Sequence, residues 1–284
     1  MIKIMVPATS ANLASGFDCF GLALDIYNSF EVELSDHDVL DNVEERFNKP
    51  DNMFLRAYHK GCAAMGIEDH VHVKFDCDIP VSRGMGSSAA MIVGGLYAAG
   101  VLHDNRLSKE DIFQLASEME GHPDNAAPAV YGGFTVSCMD NGLFVTYPVS
   151  VDEGWCFTVL IPDFEVSTEK ARKALPDAYE RSVVANNGAR EVYMMMALNK
   201  GDEQLLRLGV QDAIHQPYRQ KLIHHYDEVK DMIGDKGTMI ISGSGSTCLV
   251  IGKEYLPDDL EDKIKDTYNW QVRRVHVGSG VKKG

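Results

Sequence analysis

The 284 residues contain no CxxC pair, no HExxH and no zinc-finger spacing among their ten histidines. A structural metal is not expected from such spacings. The six cysteines, Cys19, Cys62, Cys77, Cys138, Cys156 and Cys248, are scattered. The opening segment MIKIMVPATS is too short in its apolar part, and too soon interrupted by Pro7, to read as a signal peptide. The cysteines are therefore expected to be reduced, mostly buried thiols in a cytoplasmic protein. Long apolar runs are also missing. The longest, Ala89–Leu102, falls short of the roughly 18 residues of a membrane span. Positive charge is scarce: 27 Lys and Arg stand against 42 Asp and Glu, for a net charge of −15. That excludes nucleic acid and anionic membrane surfaces as expected partners, because both need a basic patch. An anionic substrate would have to be held by local donors.

What is present is ordinary for a globular chain, with 45% hydrophobic and 24% charged residues and no repeat or low-complexity linker. Ile2–Val6 and Leu22–Leu34 read as strands, and Val71–Ile79 alternates as a half-buried strand does. Helices are expected over Asp51–Met65, Ser87–Val101 and Ser108–Glu118, the last opened by a Ser-x-x-Asp capping box. Asn141-Gly142, between Phe134–Cys138 and Leu143–Tyr147, signals a hairpin. Beyond a boundary near residue 150 the order changes. A strand (Cys156–Ile161) precedes helices at Thr168–Leu175 and Ser182–Asn199, with more helix to Ile233. Two strands (Thr238–Ile241, Thr247–Ile251), a helix (Pro257–Tyr268) and a strand (Gln271–Val277) follow. Apart from the helical insertion this is β-α-β-β-α-β, a ferredoxin-like order. The expected class is α+β, with domains at 1–150 and 151–284.

Four stretches carry the chemistry. Gly84-Met85-Gly86-Ser87-Ser88-Ala89 leads into a helix. It reads as a plain N-cap turn, as a dinucleotide fingerprint, or as a phosphate cradle in which backbone N–H groups and the helix dipole hold an anion. The fingerprint is disfavoured because Ile79–Arg83 separates the glycines from the preceding strand. A Walker A loop is excluded because no lysine follows the last glycine. Pro7–Asp18 (PATSANLASGFD) is a polar loop that either grips a ligand or holds itself together by Asx-turns. Glu118–Asn125 (EMEGHPDN) gathers carboxylates, a histidine and an asparagine, which suits metal binding, acid–base work or helix capping. Ser242–Ser246 (SGSGS) is a glycine-rich turn between two apolar strands.

In this order, PATSANLASGFDCFG, IPVSRGMGSSAA, EGHPDNAAPAVYGGF and ISGSGSTCLVI resemble the superfamily of galactokinase, homoserine kinase, mevalonate kinase and phosphomevalonate kinase, and within it the homoserine kinases above all. The resemblance covers essentially the whole chain. It implies a GHMP-kinase-like fold, with an N-terminal ribosomal-S5-domain-2-like domain packed on a ferredoxin-like one. The implied reaction is ATP- and Mg²⁺-dependent phosphorylation of the side-chain hydroxyl of L-homoserine, on the route to threonine. A same-fold kinase for another small hydroxylated amino acid, or a non-catalytic sensor, are the alternatives.

By the same resemblance, Gly84, Met85, Gly86, Ser87, Ser88 and Ala89 wrap the ATP phosphates and Asn52 contacts adenine. Ser88 and Glu118 hold Mg²⁺. Asn12 and Asp18 take the substrate ammonium. Arg172 and Arg219, with Thr168, take its carboxylate, for which the planar guanidinium fork is suited. His122, Asp124 and Asn125 lie near the reacting hydroxyl, Asp124 being either a base or a helix cap. Ser246 stands where the family usually has proline. A homodimer is compatible with the resemblance.

Overall fold

β1 (Ile2–Ala11) and β2 (Phe20–Ser35) form a long antiparallel pair, with Ile4 opposite Phe30 and Ser10 opposite Leu22. Their inward residues Ile4, Val6, Leu22, Leu24, Phe30 and Val32 are buried, as period-two alternation requires. The structure is a computed structural model and describes residues 1–284. β3 (Val39–Asp41) runs parallel to β4 (His70–Cys77), which pairs antiparallel with β2. α1 (Met53–Ala64) connects them. α2 (Ser87–Leu102), α3 (Lys109–Glu120) and α4 (Ala126–Tyr131) follow β4. Ser108 caps α3 and Asp111 reaches back, completing the capping box. α2 is buried on nearly every side, consistent with its uniformly apolar sequence. β5 (Phe134–Asp140) and β6 (Leu143–Val149) form the expected hairpin. Asn141 and Gly142 take φ of 49° and 82°, as a type I′ turn demands.

β7 (Cys156–Ile161) opens the second sheet. The helical insertion comprises α5 (Thr168–Lys173), α6 (Arg181–Lys200), α7 (Glu203–Gly209), α8 (Gln216–Arg219) and α9 (Tyr226–Ile233). β8 (Thr238–Ile241), β9 (Cys248–Gly252), α10 (Asp258–Tyr268) and β10 (Gln271–Val275) complete it. The strand order β10-β7-β9-β8, antiparallel throughout, is the ferredoxin-like arrangement. One continuous core runs from the first sheet through α2 to Phe157, Ile240 and Leu249 of the second.

Three features differ from the sequence reading. β1 continues past Val6 to Ala11, because the small polar residues Thr9 and Ser10 are themselves buried there. β3 is a three-residue edge strand, too short for periodicity to reveal. The C-terminal tail returns to the first sheet: β11 (Lys282–Lys283) pairs with β1, and Val277 bridges Leu24. Two exposed lysines carry no alternation, so this crossing is silent in the sequence. All six cysteines are free thiols, but only Cys62 and Cys248 are buried; Cys77 and Cys138 are exposed, so burial is not general among them. No helix is long and apolar enough to cross a membrane.

Candidate active site

Three loops meet in a cleft of about 330 Å³ between the two sheets' helices. That volume suits a small-molecule site. The first is the glycine loop. Gly84 and Gly86 have φ of 75° and 67°. A Cβ on Gly84 would stand 2.3 Å from the Ser242 carbonyl oxygen, and one on Gly86 1.9 Å from Thr9 Oγ1. Both positions therefore need glycine twice over, for backbone angle and for space. Ser242 Oγ donates to the Gly84 carbonyl at 2.7 Å and meets Ser10 Oγ at 2.9 Å. Thr9 N–H donates to the Met85 carbonyl at 3.1 Å. The SGSGS turn is thus a brace for the glycine loop as well as a strand connection. Ser246 ties the turn to the segment after the strand Cys156–Ile161, its Oγ donating to the Phe164 carbonyl at 2.6 Å.

Gly86 precedes α2 and offers it no side-chain cap, and Ser87 and Ser88 of its first turn line the cleft. Uncapped N–H groups and the positive end of the helix dipole make this an anion seat. Met85 and Ala89 are wholly buried and do not line it; of the two, only backbone groups are available. Asn52 does not line it either. Its Oδ1 accepts from Phe54 N–H and its Nδ2 donates to the Phe47 carbonyl, both at 2.9 Å, so the side chain caps α1. The next residue, Met53, and Arg56 do line the cleft.

The end of α3 supplies carboxylate, but from Glu120 and not from Glu118. Ser88 Oγ donates to Glu120 Oε1. Glu118 instead pairs with Lys60 Nζ at 3.0 Å, is 56% exposed and lies outside the cleft. Helix periodicity explains the correction. The buried face of α3 is Ile112, Phe113, Ala116 and Ser117. Glu120 follows Ala116 by four and Ser117 by three, so it shares their face. Glu118 lies on the solvent face, and that spacing was the signal that could have found Glu120. Burial pushes the Glu120 carboxyl up, against the lowering effect of the Ser88 hydrogen bond.

Beyond Gly121, His122 Nδ1 meets Asp124 Oδ1 at 2.6 Å. Burial opposes charge on His122, but the hydrogen bond and charge of Asp124 outweigh it and raise its pKa above the ordinary 6.5. Asn125 Oδ1 accepts from Thr9 Oγ1 at 2.7 Å and its Nδ2 approaches Asp124 Oδ1 at 3.3 Å. Asn125 is the first residue of α4's entry, where no side-chain cap is made. Asp124 therefore serves the histidine and not the helix.

The opposite wall holds charges of both signs. Asn12, Leu13 and Ala14 have φ of 68°, 40° and 62°, a left-handed turn of three non-glycine residues. Such residues cost on the order of 1–3 kcal/mol each and persist where their surroundings hold them. Asn12 is held by Nδ2 donating to the Gly243 carbonyl and Oδ1 accepting from Asp18 N–H, both at 2.9 Å. Arg172 donates to both Asp18 oxygens, at 2.8 and 3.0 Å. Arg219 is 2% exposed and its Nη1 donates to the Gly243 carbonyl at 3.0 Å. Burial, and then the like charge of Arg172, push its pKa down. Both guanidiniums face the Phe17 ring, at 5.7 and 5.1 Å. Thr168 opens α5 and stands 3.5 Å from Ser244. His215 was not anticipated. It is wholly buried, its Nε2 donates to the Ala14 carbonyl at 2.7 Å, and its Nδ1 lies 3.5 Å from Arg219 Nη1. No motif announces it.

A buried-face carboxylate, a hydroxyl hydrogen-bonded to it and an adjacent anion seat are hard oxygen chemistry. Ser88 and Glu120 thus fit a divalent cation such as Mg²⁺, as one hydroxyl and one carboxylate within reach of a single ion.

This constellation, a glycine loop at a helix N-terminus facing a ferredoxin-like domain, is that of the small-molecule kinases called GHMP. The family model "GHMP kinases N terminal domain" matches residues 52–133, and "GHMP kinases C terminal" matches 194–269. Homoserine kinase of Clostridium botulinum is 39% identical over 285 residues, spanning 98% of this chain and 96% of its own. That of Picosynechococcus is 40% identical over 265 residues, spanning 88% and 86%. The crystal structure of homoserine kinase from Cytophaga hutchinsonii superposes with a TM-score of 0.89 at 27% identity, covering 100% of this chain and 97% of its own. A mevalonate kinase of L. major shares the fold at 16% identity and a TM-score of 0.74. The chain belongs to the homoserine kinase family.

Proposed function

We propose that this enzyme transfers the γ-phosphoryl group of ATP to the side-chain hydroxyl of L-homoserine, giving O-phospho-L-homoserine and ADP, a step on the route to threonine. One observation carries the reading. A carboxylate and two guanidiniums, Asp18, Arg172 and Arg219, stand in the same cleft as the uncapped turn of α2. A zwitterionic amino acid matches the first set, and a polyphosphate matches the second.

In this reading Asp18 and Asn12 hold the ammonium, and Arg172 and Arg219, with Thr168, hold the carboxylate. Bidentate guanidinium contacts would fix the substrate so that its hydroxyl points toward His122 and Asn125. The loop from Gly84 to Ala89 gives backbone N–H groups to the phosphates, and Met53 and Arg56, in place of Asn52, border the nucleoside. Ser88 and Glu120 would hold Mg²⁺, which neutralises phosphate charge when bound. The hydroxyl oxygen attacks the γ-phosphorus in line, the bond to the ADP oxygen breaks, and the hydroxyl proton leaves to Asp124, through His122, or to the transferred phosphate. Phosphoryl transfer depends on positioning and electrostatics more than on a strong base. We place the division between the two domains near residue 150.

A coupled ADP-release assay with Mg-ATP and L-homoserine, L-threonine, L-serine, mevalonate or no acceptor tests this. Turnover highest with L-homoserine is expected. Turnover confined to another acceptor would overturn the amino-acid assignment. ATP binding with no turnover on any acceptor would favour a sensor.

A further inference from the structure

A second constellation lies away from the cleft, at the β3 edge of the first sheet. Asp38 immediately precedes β3, His59 is on α1, and His70 is the first residue of β4. His59 Nε2 meets Asp38 Oδ2 at 2.8 Å, and His70 Nδ1 meets Asp38 Oδ1 at 3.3 Å. All three donor atoms lie within 4.8 Å of one another. None of these residues lines the catalytic cleft.

We propose that Asp38, His59 and His70 form a binding site for a divalent transition-metal ion of the zinc class. Three observations support it beyond proximity. The ligands come from three separate elements, so the tertiary fold, and no local motif, brings them together. The carboxylate is oriented by a partner behind it: Val71 N–H donates to Asp38 Oδ1 at 3.2 Å. Outer hydrogen bonds of this kind fix the ligands of metal sites. The three side chains are 25%, 40% and 51% exposed. An ion can therefore enter, and water can fill its remaining positions.

The geometry is near that of a coordinated ion. Zinc binds histidine nitrogen and carboxylate oxygen at about 2.0–2.2 Å, so two ligands on one ion stand no more than about 4 Å apart. The two histidine–carboxylate separations already satisfy this, one to each oxygen of Asp38. The two rings meet edge to face at 6.0 Å between centroids, and a small rotation of the half-exposed His70 would bring its nitrogen into range. Two imidazoles and one carboxylate favour Zn²⁺, Co²⁺, Ni²⁺ or Cu²⁺ over Mg²⁺. The site is therefore chemically distinct from the oxygen-only pair Ser88 and Glu120. Binding would pin α1, whose first turns border the cleft, to the sheet edge. No imidazolium can remain on either ring when the ion is bound, so affinity falls as pH drops.

The test is calorimetric titration of the full chain with zinc chloride at neutral pH in the absence of Mg²⁺, alongside the His59→Gln/His70→Gln double variant. Removing an outer-shell partner costs about 10–100-fold in metal affinity, so losing two direct ligands should cost at least that. One zinc site in the wild type, weakened at least about tenfold in the double variant, is the expected result. Thermal unfolding gives a second readout. Zinc should raise the melting temperature of the wild type and not that of the double variant, while the metal-free proteins melt alike. To exclude binding in the cleft, Glu120→Gln should keep the zinc event. Equal zinc binding by the double variant, or no zinc binding by the wild type at millimolar concentration, would overturn the assignment.

Discussion

Arg172 closes on Asp18 with both Nη atoms, at 2.8 and 3.0 Å, across 154 residues of chain. The anion assigned to the substrate ammonium and a cation assigned to its carboxylate thus neutralise each other in the structure. A zwitterion can replace this pair charge for charge. It brings an ammonium for Asp18 and a carboxylate for Arg172, so neither of the two is left unpaired. A ligand with only one of the two charges cannot. Arg172→Ala and Asp18→Asn are each expected to raise KM for homoserine roughly 10–100-fold, the worth of one or two charged hydrogen bonds. KM for ATP should change by less than about twofold. 4-Hydroxybutyrate, which lacks the ammonium, should be a poor acceptor for the wild type. Steady-state kinetics with each substrate varied checks all three statements, and equal shifts in both KM values would dismiss the assigned roles.

Glu118 and Glu120 give a sharper contrast, because they are two residues apart on one helix and only one faces Ser88. Glu120→Gln should lower kcat by about 100-fold or more, as losing a charge-neutralising group in such sites does. Glu118→Gln should leave kcat within about twofold, since it breaks only an exposed ion pair with Lys60. Stability should move the other way. Burial raises the Glu120 pKa, so the folded protein holds this proton more tightly than the unfolded chain does. Between the unfolded and folded pKa values the group then costs stability as pH rises. Glu120→Gln should therefore raise the melting temperature at pH 7 by roughly 1–3 °C. A fall in melting temperature with unchanged kcat would refute both parts.

The same two glutamates show where sequence reasoning stops. Strand alternation in Val71–Ile79 and the Asn141-Gly142 turn are local signals, and the fold follows them. The motif EMEG is local too, but choosing between its glutamates needs the phase of the helix. That phase was already written in Ile112, Phe113 and Ala116. Other parts of the site have no local signal at all. His215 reaches the Ala14 carbonyl across 201 residues, and β11 is two lysines that return to β1. Asn52 illustrates the reverse case. Its position at a helix start is legible, yet both ends of its side chain are engaged in the cap.

His122 offers a pH test. Burial alone would lower its pKa, and Asp124 reverses the sign. Asp124→Asn removes the nearest of the charges that oppose burial and leaves those of Glu120 and Asp18, so the His122 pKa should fall from its raised value. Titration of the imidazole signals by NMR reads this directly. In the wild type the histidine should stay protonated to a higher pH than an exposed one, and the stability it contributes should be lost as pH rises through that raised value. If the imidazolium aids the transfer, kcat declines over the same interval, and Asp124→Asn shifts the decline to lower pH. An unchanged His122 titration in the variant would exclude the coupling.

His215 works with the opposite sign. Burial takes its pKa from 6.5 down to about 4, with Arg219 adding to the lowering and Asp212 opposing it. The ring is thus neutral in the folded protein, with its proton on the Nε2 that donates to Ala14, leaving the Nδ1 lone pair toward Arg219. Below 6.5 the unfolded chain binds a proton that the folded protein refuses until about 4. Stability should therefore drop as pH falls through that window. His215→Gln can keep the donor to Ala14 but has no proton to gain. It should flatten the dependence of melting temperature on pH between those values. His215→Leu leaves the Ala14 carbonyl without its partner and should cost about 1–3 kcal/mol at pH 7. It should also raise KM for homoserine more than KM for ATP, because Ala14 ends the left-handed turn that presents Asn12. A pH profile in His215→Gln as steep as the wild type's would show that other groups set the acid limit of this fold.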